Sequence, residues 1–529
     1  MISNKKKYDF LVYIVCLLSI IGGVWNGQYI NDGYHWGFIY SNSIDFINGK
    51  QPFKDFFLEY GFLQLLLNSL LIKMFGQKVF IIQFLVIFLY SFSFLLIYKI
   101  ILNLTFNKRI SFYSILILFC IFPWPISPWP VYITFNLSVL FIYFFIKDTK
   151  KNYIISSIFL FCAYLTFTTL FNFVITFYFI FSFTILFFFN FYKKYKIDIK
   201  LNIILYVFIF LLGIFFIYLI VNDYFKEWLL IQETPFIIKN SFNKTFDELF
   251  FSFIYFLYIK SFINIVYEPQ WIIYSILFSL NIFYILILLK RIYFKEVNKK
   301  MISLFFISIY ILSLTFVAQV MSLSYFATTI SISIIFFAVF YNNLKSKDTK
   351  FIIKFIMIFL IGYSLINFDM KYSSNAEKRY HSVRHIDDEK NLRNKNFEHF
   401  VFFKWRSEYW NLLEQISNEI LNIKNNCEKI IGANLTHDSY FYILIENPTI
   451  QKIPFFLTGS KFGLNSIYDT FLFDKVNIEI NNENIFIISH KNNEKSLNFN
   501  EYYEFKKFYL KTDKIIDEEF RVYYPIKCN

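Results

Sequence analysis

The side chains best suited to chemistry gather in one stretch near the N-terminus, residues 31–61, NDGYHWGFIYSNSIDFINGKQPFKDFFLEYG. It holds four carboxylates: Asp32, Asp45, Asp55 and Glu59. Asp32 and His35 stand three residues apart, just after a long apolar run. Segment 34–47 is aromatic and amphipathic, the pattern of a helix lying in a membrane interface. Asp32, directly before it, suits an N-cap as well as a proton acceptor. Gly49 should end this helix, and Pro52 should prevent its continuation. Asp55 and Glu59, at i and i+4, would share one face of a further helix. Asp45 reads as a solvated position, and His35 as a polar group able to partner a proton. Carboxylates at a membrane surface suit general-base chemistry on a molecule with a polar reactive end and a lipid tail.

The elements that must position these residues are membrane spans. The chain has 529 residues, of which 57% are hydrophobic and 17% charged. Soluble domains carry about 25% charge, so the chain is read as a polytopic α-helical membrane protein. A basic start, Lys5-Lys6-Lys7, precedes an apolar run at 10–24 with no small-residue cleavage site after it. Further apolar runs cover 78–100, 110–127, 131–147, 153–169, 172–192, 202–221, 270–290, 302–320, 324–342 and 351–368. Most are near the roughly 20 residues that cross hydrocarbon, which makes eleven spans in all. Alternate loops are then basic throughout, among them Lys108 and Arg109, and Lys345, Lys347 and Lys350. That places the N-terminus in the cytoplasm of a bacterial cytoplasmic membrane. Runs 62–75 and 250–266 are left out of the count, because making either a span inverts the charge pattern that follows. They are expected on or in the outer face.

An odd number of spans puts the C-terminal part outside. Domain 1–370 is the membrane part, with its first outer loop at 26–77. Residues 371–400 form a polar connector, and 401–529 an extracytoplasmic α/β domain. In the last, Trp410, Leu413, Ile416, Ile420 and Ile423 recur at helical spacing. Strand-like runs follow at 429–433, 440–445 and 484–489. The net charge of +14 lies wholly before residue 371, since 22 basic and 22 acidic side chains follow it, leaving 52 − 22 = 30 against 38 − 22 = 16. These basic residues sit in short loops between apolar runs, so membrane topology explains them and no nucleic-acid partner is expected. Cys427 and Cys528 can pair in an oxidising compartment. His381 and His385, with Asp387 and Asp388 nearby, read as a solvated connector rather than a metal site.

In its specific residues the first loop resembles the GT-C superfamily of membrane glycosyltransferases, in the branch of protein O-mannosyltransferases and lipid A aminoarabinose transferases. Asp32-Gly33 stands where the family has an acidic pair. Gly49-Lys50-Gln51-Pro52-Phe53-Lys54-Asp55 matches its G-x-P-[YF]-x-D element. Tyr60-Gly61-Phe62 stands at its Tyr-Gly-Pro turn. Two departures are plain. Gly33 replaces the second acid, and a late-span Arg-Tyr element appears as Ser324-Tyr325, without the Arg. The Trp-Trp-Asp motif of the oligosaccharyltransferase branch is absent from the tail.

The resemblance implies transfer of a sugar from a polyprenyl-phosphate carrier to a lipid, glycan or protein acceptor outside the membrane. Asp32 would then be the catalytic base. An Asp titrates near 4 unless desolvated or close to a second carboxylate. Asp55 and Glu59 would supply that charge, position the acceptor or hold a divalent metal ion; no cofactor is implied as obligatory. The leaving phosphate needs cations, and His35, Lys50, Lys54, Lys239, Lys244 and Lys260 are the expected substrate contacts. The alternatives are a transporter, flippase or polymerase for lipid-linked saccharides. A transporter places its charges near the midplane of the spans, whereas here the acids collect at the outer surface.

Overall fold

The computed structural model describes residues 4–29, 33–52, 55–56, 58, 60–121, 125, 127–147, 149–166, 199–225, 228, 270–294, 299–321, 328–374, 391–394, 396–427, 431–435, 440–445, 485–490, 510–516 and 520–525. The expected span 172–192, the run 250–266 and the His381–His385 pair lie outside them.

Among the described residues the apolar runs form helices. In order they are α1 (Asn4–Gly27), α2 (Gly33–Ile47), α3 (Phe62–Phe75), α4 (Phe80–Thr105), α5 (Lys108–Ile121), α6 (Pro130–Ile146), α7 (Lys150–Thr166), α8 (Ile199–Val221), α9 (Gln270–Tyr293), α10 (Lys299–Met321), α11 (Ile334–Asn343) and α12 (Lys347–Ser374). Segments Lys7–Gly27, Phe80–Thr105, Ile203–Val221 and Ile272–Arg291 are long and apolar enough to cross a membrane. Their outer faces expose Leu17, Ile21, Phe84, Phe88, Phe210 and Leu286. Water would not favour so large an apolar belt, and lipid does. Inside the bundle, buried hydroxyls and amides pair across helices. Ser91 donates to Ser19, Asn136 to Ser93 and the Leu89 carbonyl, and Ser157 to the Ile204 carbonyl. At the start of α1, Asp9 accepts from Tyr98 and pairs with Lys108, tying α1 to α4 and α5.

The C-terminal segment carries a two-stranded ribbon, β1 (Asn391–Leu392) and β2 (Trp405–Arg406), then helix α13 (Ser407–Asn426). The helical spacing read there is realised, with Trp410, Leu413, Ile416, Ile420 and Ile423 all buried. A mixed sheet follows in the order β3-β4-β6-β5, built from Ile431–Leu435, Ile485–His490, Phe520–Pro525 and Leu510–Ile516. β3 and β4 run parallel and the other pairs antiparallel. Tyr440–Ile445, expected as a strand, is a helix, α14. A six-residue apolar run has no periodicity to separate the two, and a helix lets it cover apolar surface on several sides. Cys427 is disulfide-bonded, whereas Cys16, Cys120 and Cys162 are free thiols. Cys528 lies outside the described residues.

Helix α2 does not lie open on a surface as its amphipathic pattern predicted. Every residue from Trp36 to Ser43 is buried. The helix packs on α3 and α14, and its apolar side chains share one core with Phe400, Phe403, Trp405 and Trp410. The tail thus closes over the first loop. Trp36 meets Phe403 edge-on at 4.8 Å, Phe80 stacks on Phe402 at 3.6 Å, and the Val79 amide donates to the His399 carbonyl at 3.0 Å.

The loop leaves α2 through Gly49, whose φ of +86° favours glycine. It enters α3 through Gly61, where the requirement is space. The Gly61 amide donates to the Thr166 carbonyl at the end of α7, and a Cβ at Gly61 would lie 2.0 Å from the Thr166 carbonyl carbon. Backbone cannot yield as a side-chain tip can. Gly61→Ala should therefore lower the unfolding temperature of the detergent-solubilised protein by the equivalent of about 3 kcal/mol or more. Gly49→Ala, with open space around it, should lose only about 1–2 kcal/mol to backbone strain. Equal losses at the two glycines would show that the Thr166 approach is not tight.

Candidate functional site

The first loop is built on α2. Aromatic and apolar residues run continuously through it, and they are satisfied only because α3 and the tail cover it. Its one acid, Asp45, was expected in solvent and is instead 2% exposed. The reason is local. Gly49 turns the chain back so that the Lys50 amide donates to the Asp45 carbonyl at 3.0 Å and the Lys50 ammonium reaches the Asp45 carboxylate at 3.3 Å. Lys50, expected to contact substrate, is therefore engaged within the loop.

The helix expected to align Asp55 with Glu59 does not form. Asp55 lies in a turn, and Pro52 and Phe56 form an isolated bridge. The Asp55 carboxylate accepts from the Gln51 amide at 2.6 Å, and the Asp55 amide donates to the Gln51 carbonyl at 2.8 Å. Pro52 has no amide hydrogen, and this local capping replaces the helical pattern. Asp55 is exposed. It is close enough to Tyr224 to act on its phenol. Burial, then Tyr218, then Asp55 raise that group above its ordinary value. Asp55 thus lies near the chain that follows α8.

Asp32, Lys54, Glu59, Lys239, Lys244 and Lys260 lie outside the described residues. His35 is part of α2, which begins one residue after Asp32. Among the described residues no group of three His, Cys, Asp or Glu side chains stands together to hold a metal ion.

Two polar features were missed in the sequence. First, α3 and α4 aim buried amides at the proline-rich turn before α6. Gln64 donates to the Pro128 carbonyl at 2.8 Å and Gln83 to the Pro125 carbonyl at 3.1 Å. The proline-rich turn at residues 125–128 is thereby fixed to α3 and α4. Second, the tail contributes side chains to the end of α1. Arg393 donates to Gln28 Oε1 at 2.9 Å, the Lys404 amide donates to the Gln28 carbonyl at 2.8 Å, and the Lys404 ammonium approaches the Tyr29 hydroxyl at 3.4 Å. His399 sits between, with Nδ1 at 2.8 Å from the Gln77 carbonyl and 3.0 Å from the Tyr40 hydroxyl. Burial, with Glu398 adding to it, pushes the Tyr40 phenol far above its usual range, so it stays a neutral hydrogen-bonding group. Only the covering of α2 demands these partners, and they come from more than 300 residues away, where no spacing rule reaches.

The Asp45–Lys50 pair and the Asp55 turn should separate in stability measurements. Asp45→Asn and Lys50→Gln should each cost about 1–3 kcal/mol, because the first leaves a partly covered ammonium and the second a buried carboxylate without its charged partner. The double variant should cost no more than the worse single. Asp55→Asn, in solvent, should cost within about 1 kcal/mol. Additive losses at 45 and 50 in thermal unfolding would show that the two groups are not coupled.

No protein-family model matches the sequence, and no curated protein matches it. Among solved structures, ArnT from Cupriavidus metallidurans bound to undecaprenyl phosphate aligns with 99% of this chain and 98% of its own, at 10% identity and a TM-score of 0.52. The apo form of the same protein also aligns over 99% of each chain at 10% identity, but its TM-score of 0.41 is too low to carry weight. The first of these alignments runs almost end to end in both chains, so the protein has the fold of ArnT, that of the aminoarabinose-transferase branch which the first-loop residues resemble.

Proposed function

We propose that the protein is a membrane glycosyltransferase that moves a sugar from a polyprenyl-phosphate carrier to an acceptor at the outer face of the bacterial cytoplasmic membrane. The observation that carries this is the end-to-end fold likeness to ArnT bound to undecaprenyl phosphate. The first-loop elements quoted above supply independent support, because they are read from residues and not from shape.

In this reading Asp32 takes the proton from the acceptor hydroxyl or phosphate. The acceptor oxygen bonds to the anomeric carbon as the bond from that carbon to the carrier phosphate breaks. The leaving phosphate keeps the electron pair. Direct displacement inverts the configuration. An ordinary Asp is a weak base, so the role asks for desolvation or a second nearby carboxylate to raise Asp32 toward useful basicity. Asp55 and Glu59 position the acceptor or add the second negative charge. The eleven spans, the cytoplasmic N-terminus and an outer α/β domain contributing to acceptor binding belong to the same proposal. A divalent ion, if used, falls to Asp32, Asp55 and Glu59. A transporter needs charge near the midplane. One ion pair of the bundle, Asp9–Lys108, sits at the start of α1 rather than at mid-span.

The test is a deletion strain carrying either wild-type protein or Asp32→Asn, at equal membrane levels, with envelope and carrier-linked glycans profiled by mass spectrometry. The variant should match the deletion, lack one sugar and accumulate the lipid-linked donor. Wild-type glycans in the Asp32→Asn strain would reduce Asp32 to a helix cap and remove this mechanism.

A further inference from the structure

The end of the bundle away from the first loop gathers cations that the fold does not neutralise. Lys108 and Arg109 open α5, and Lys345, Lys347, Lys350 and Lys354 lie around the start of α12. Helix α5 packs on both α11 and α12. Lys108 is taken by Asp9. Arg109 and Lys350 meet rings instead. The Arg109 guanidinium lies 5.6 Å from the Tyr113 ring and within electrostatic reach of Tyr8 and Tyr341. The Lys350 ammonium lies 6.0 Å from the same Tyr341 ring, whose hydroxyl donates to the Lys350 carbonyl at 3.4 Å. Tyr341 is thus in reach of both cations. Among the described residues neither cation makes an ion pair. Lys350 and Lys354 add to the imbalance, because like charges four residues apart on a helix repel. Beside them runs an apolar stripe. Phe351, Phe355 and Phe359 follow at the same four-residue step and are 70%, 64% and 62% exposed, so protein does not cover them. Phe106, three residues before Arg109, is also exposed. Cations beside bare aromatic rings suit the boundary between headgroups and hydrocarbon.

We infer that this end of the bundle binds an anionic phospholipid, its headgroup phosphate on Arg109 and Lys350 and its acyl chains along Phe351, Phe355 and Phe359. The charge selects an anion, and the stripe selects one that carries hydrocarbon. An inorganic anion would leave the stripe bare, and a zwitterionic lipid would cover the stripe without offsetting the cations. A guanidinium can grip two phosphate oxygens at once, and an ammonium adds a point charge. A phosphate held by both residues ties α5 to α12, so the bound lipid stabilises the packing of the bundle. In the topology set out above this end faces the cytoplasmic leaflet, where anionic lipids attract basic segments. The site is separate from the first loop and stands whether or not the protein transfers a sugar.

The full-length protein in detergent is titrated with phosphatidylglycerol, phosphatidylcholine or inorganic phosphate. Bound lipid is counted by native mass spectrometry, and thermal unfolding is followed beside it. The variants are Arg109→Gln, Lys350→Gln, their double and the charge-preserving Arg109→Lys. Lys151→Gln, an exposed cation at the start of α7, is the control for general surface charge. Wild type should retain phosphatidylglycerol and unfold at a higher temperature in it than in phosphatidylcholine, with no shift from inorganic phosphate at the same concentration. The double variant should bind phosphatidylglycerol about tenfold or more weakly. Lys151→Gln should bind like wild type, and Arg109→Lys should fall between wild type and Arg109→Gln. Should the double variant fail to fold, the single variants and Arg109→Lys carry the same comparison. Equal binding by wild type and the folded variants would overturn the proposal. Equal weakening in Lys151→Gln would show a diffuse basic surface and no site. Stabilisation by inorganic phosphate equal to that by phosphatidylglycerol would make it a free-anion site, and an equal effect of phosphatidylcholine would make it an apolar face without charge selection; either result overturns the assignment.

Discussion

Helix α2 is covered along its whole circumference, and an apolar helix in that position cannot be left to water on any face. Trp36, Phe38, Ile39 and Tyr40 follow one another in sequence and point in different directions, yet each is buried. One layer of protein cannot cover such a helix. The structure uses two, α3 below it in the chain and the C-terminal segment with α14. Because the second layer is apolar in the same way, Phe400, Phe403 and Trp405 have no stable alternative to docking here. The tail and the first loop are each incomplete without the other.

Burial on this scale decides what happens to the polar groups it encloses. A buried hydroxyl or carboxylate needs a partner inside the protein. Tyr40 meets His399, and Asp45 meets Lys50. The second pair is local, made by the turn at Gly49. The first spans the chain and fixes where the tail lies over the loop. Once His399 and Val79 set that register, Arg393 and Lys404 fall on the last turn of α1. Their arrival at Gln28 and Tyr29 is a consequence of core packing, and core packing tolerates little sliding.

The sequence revealed the parts of this arrangement whose signals are local. Apolar runs near 20 residues appear as helices because bilayer thickness sets their length, and α13 shows the five-residue helical stripe as read. Gly49 and Pro52 mark the end of α2 because backbone dihedrals are a property of single residues. What failed was pairwise or long-range. The i, i+4 spacing of Asp55 and Glu59 suggested a helix, but Pro52 and the carboxylate capping of Gln51 favour a turn. Asp45 looked solvated because its burial follows from the turn at Gly49-Lys50 and from the packing of α2 on α3 and α14, which no local spacing reveals. Tyr440–Ile445 is too short for its pattern to separate strand from helix. Gly61 matched a motif position, but the reason for glycine there is the Thr166 carbonyl, which no local rule identifies.

The same logic explains why the tail is held where it is. A segment that carries this much aromatic surface must dock to bury it, and the shared core of α2, Phe403 and Trp405 is where it docks. Packing of that kind tolerates little sliding, so the polar contacts at its edge, Arg393 to Gln28 and Lys404 to Tyr29, are fixed by the same aromatic core.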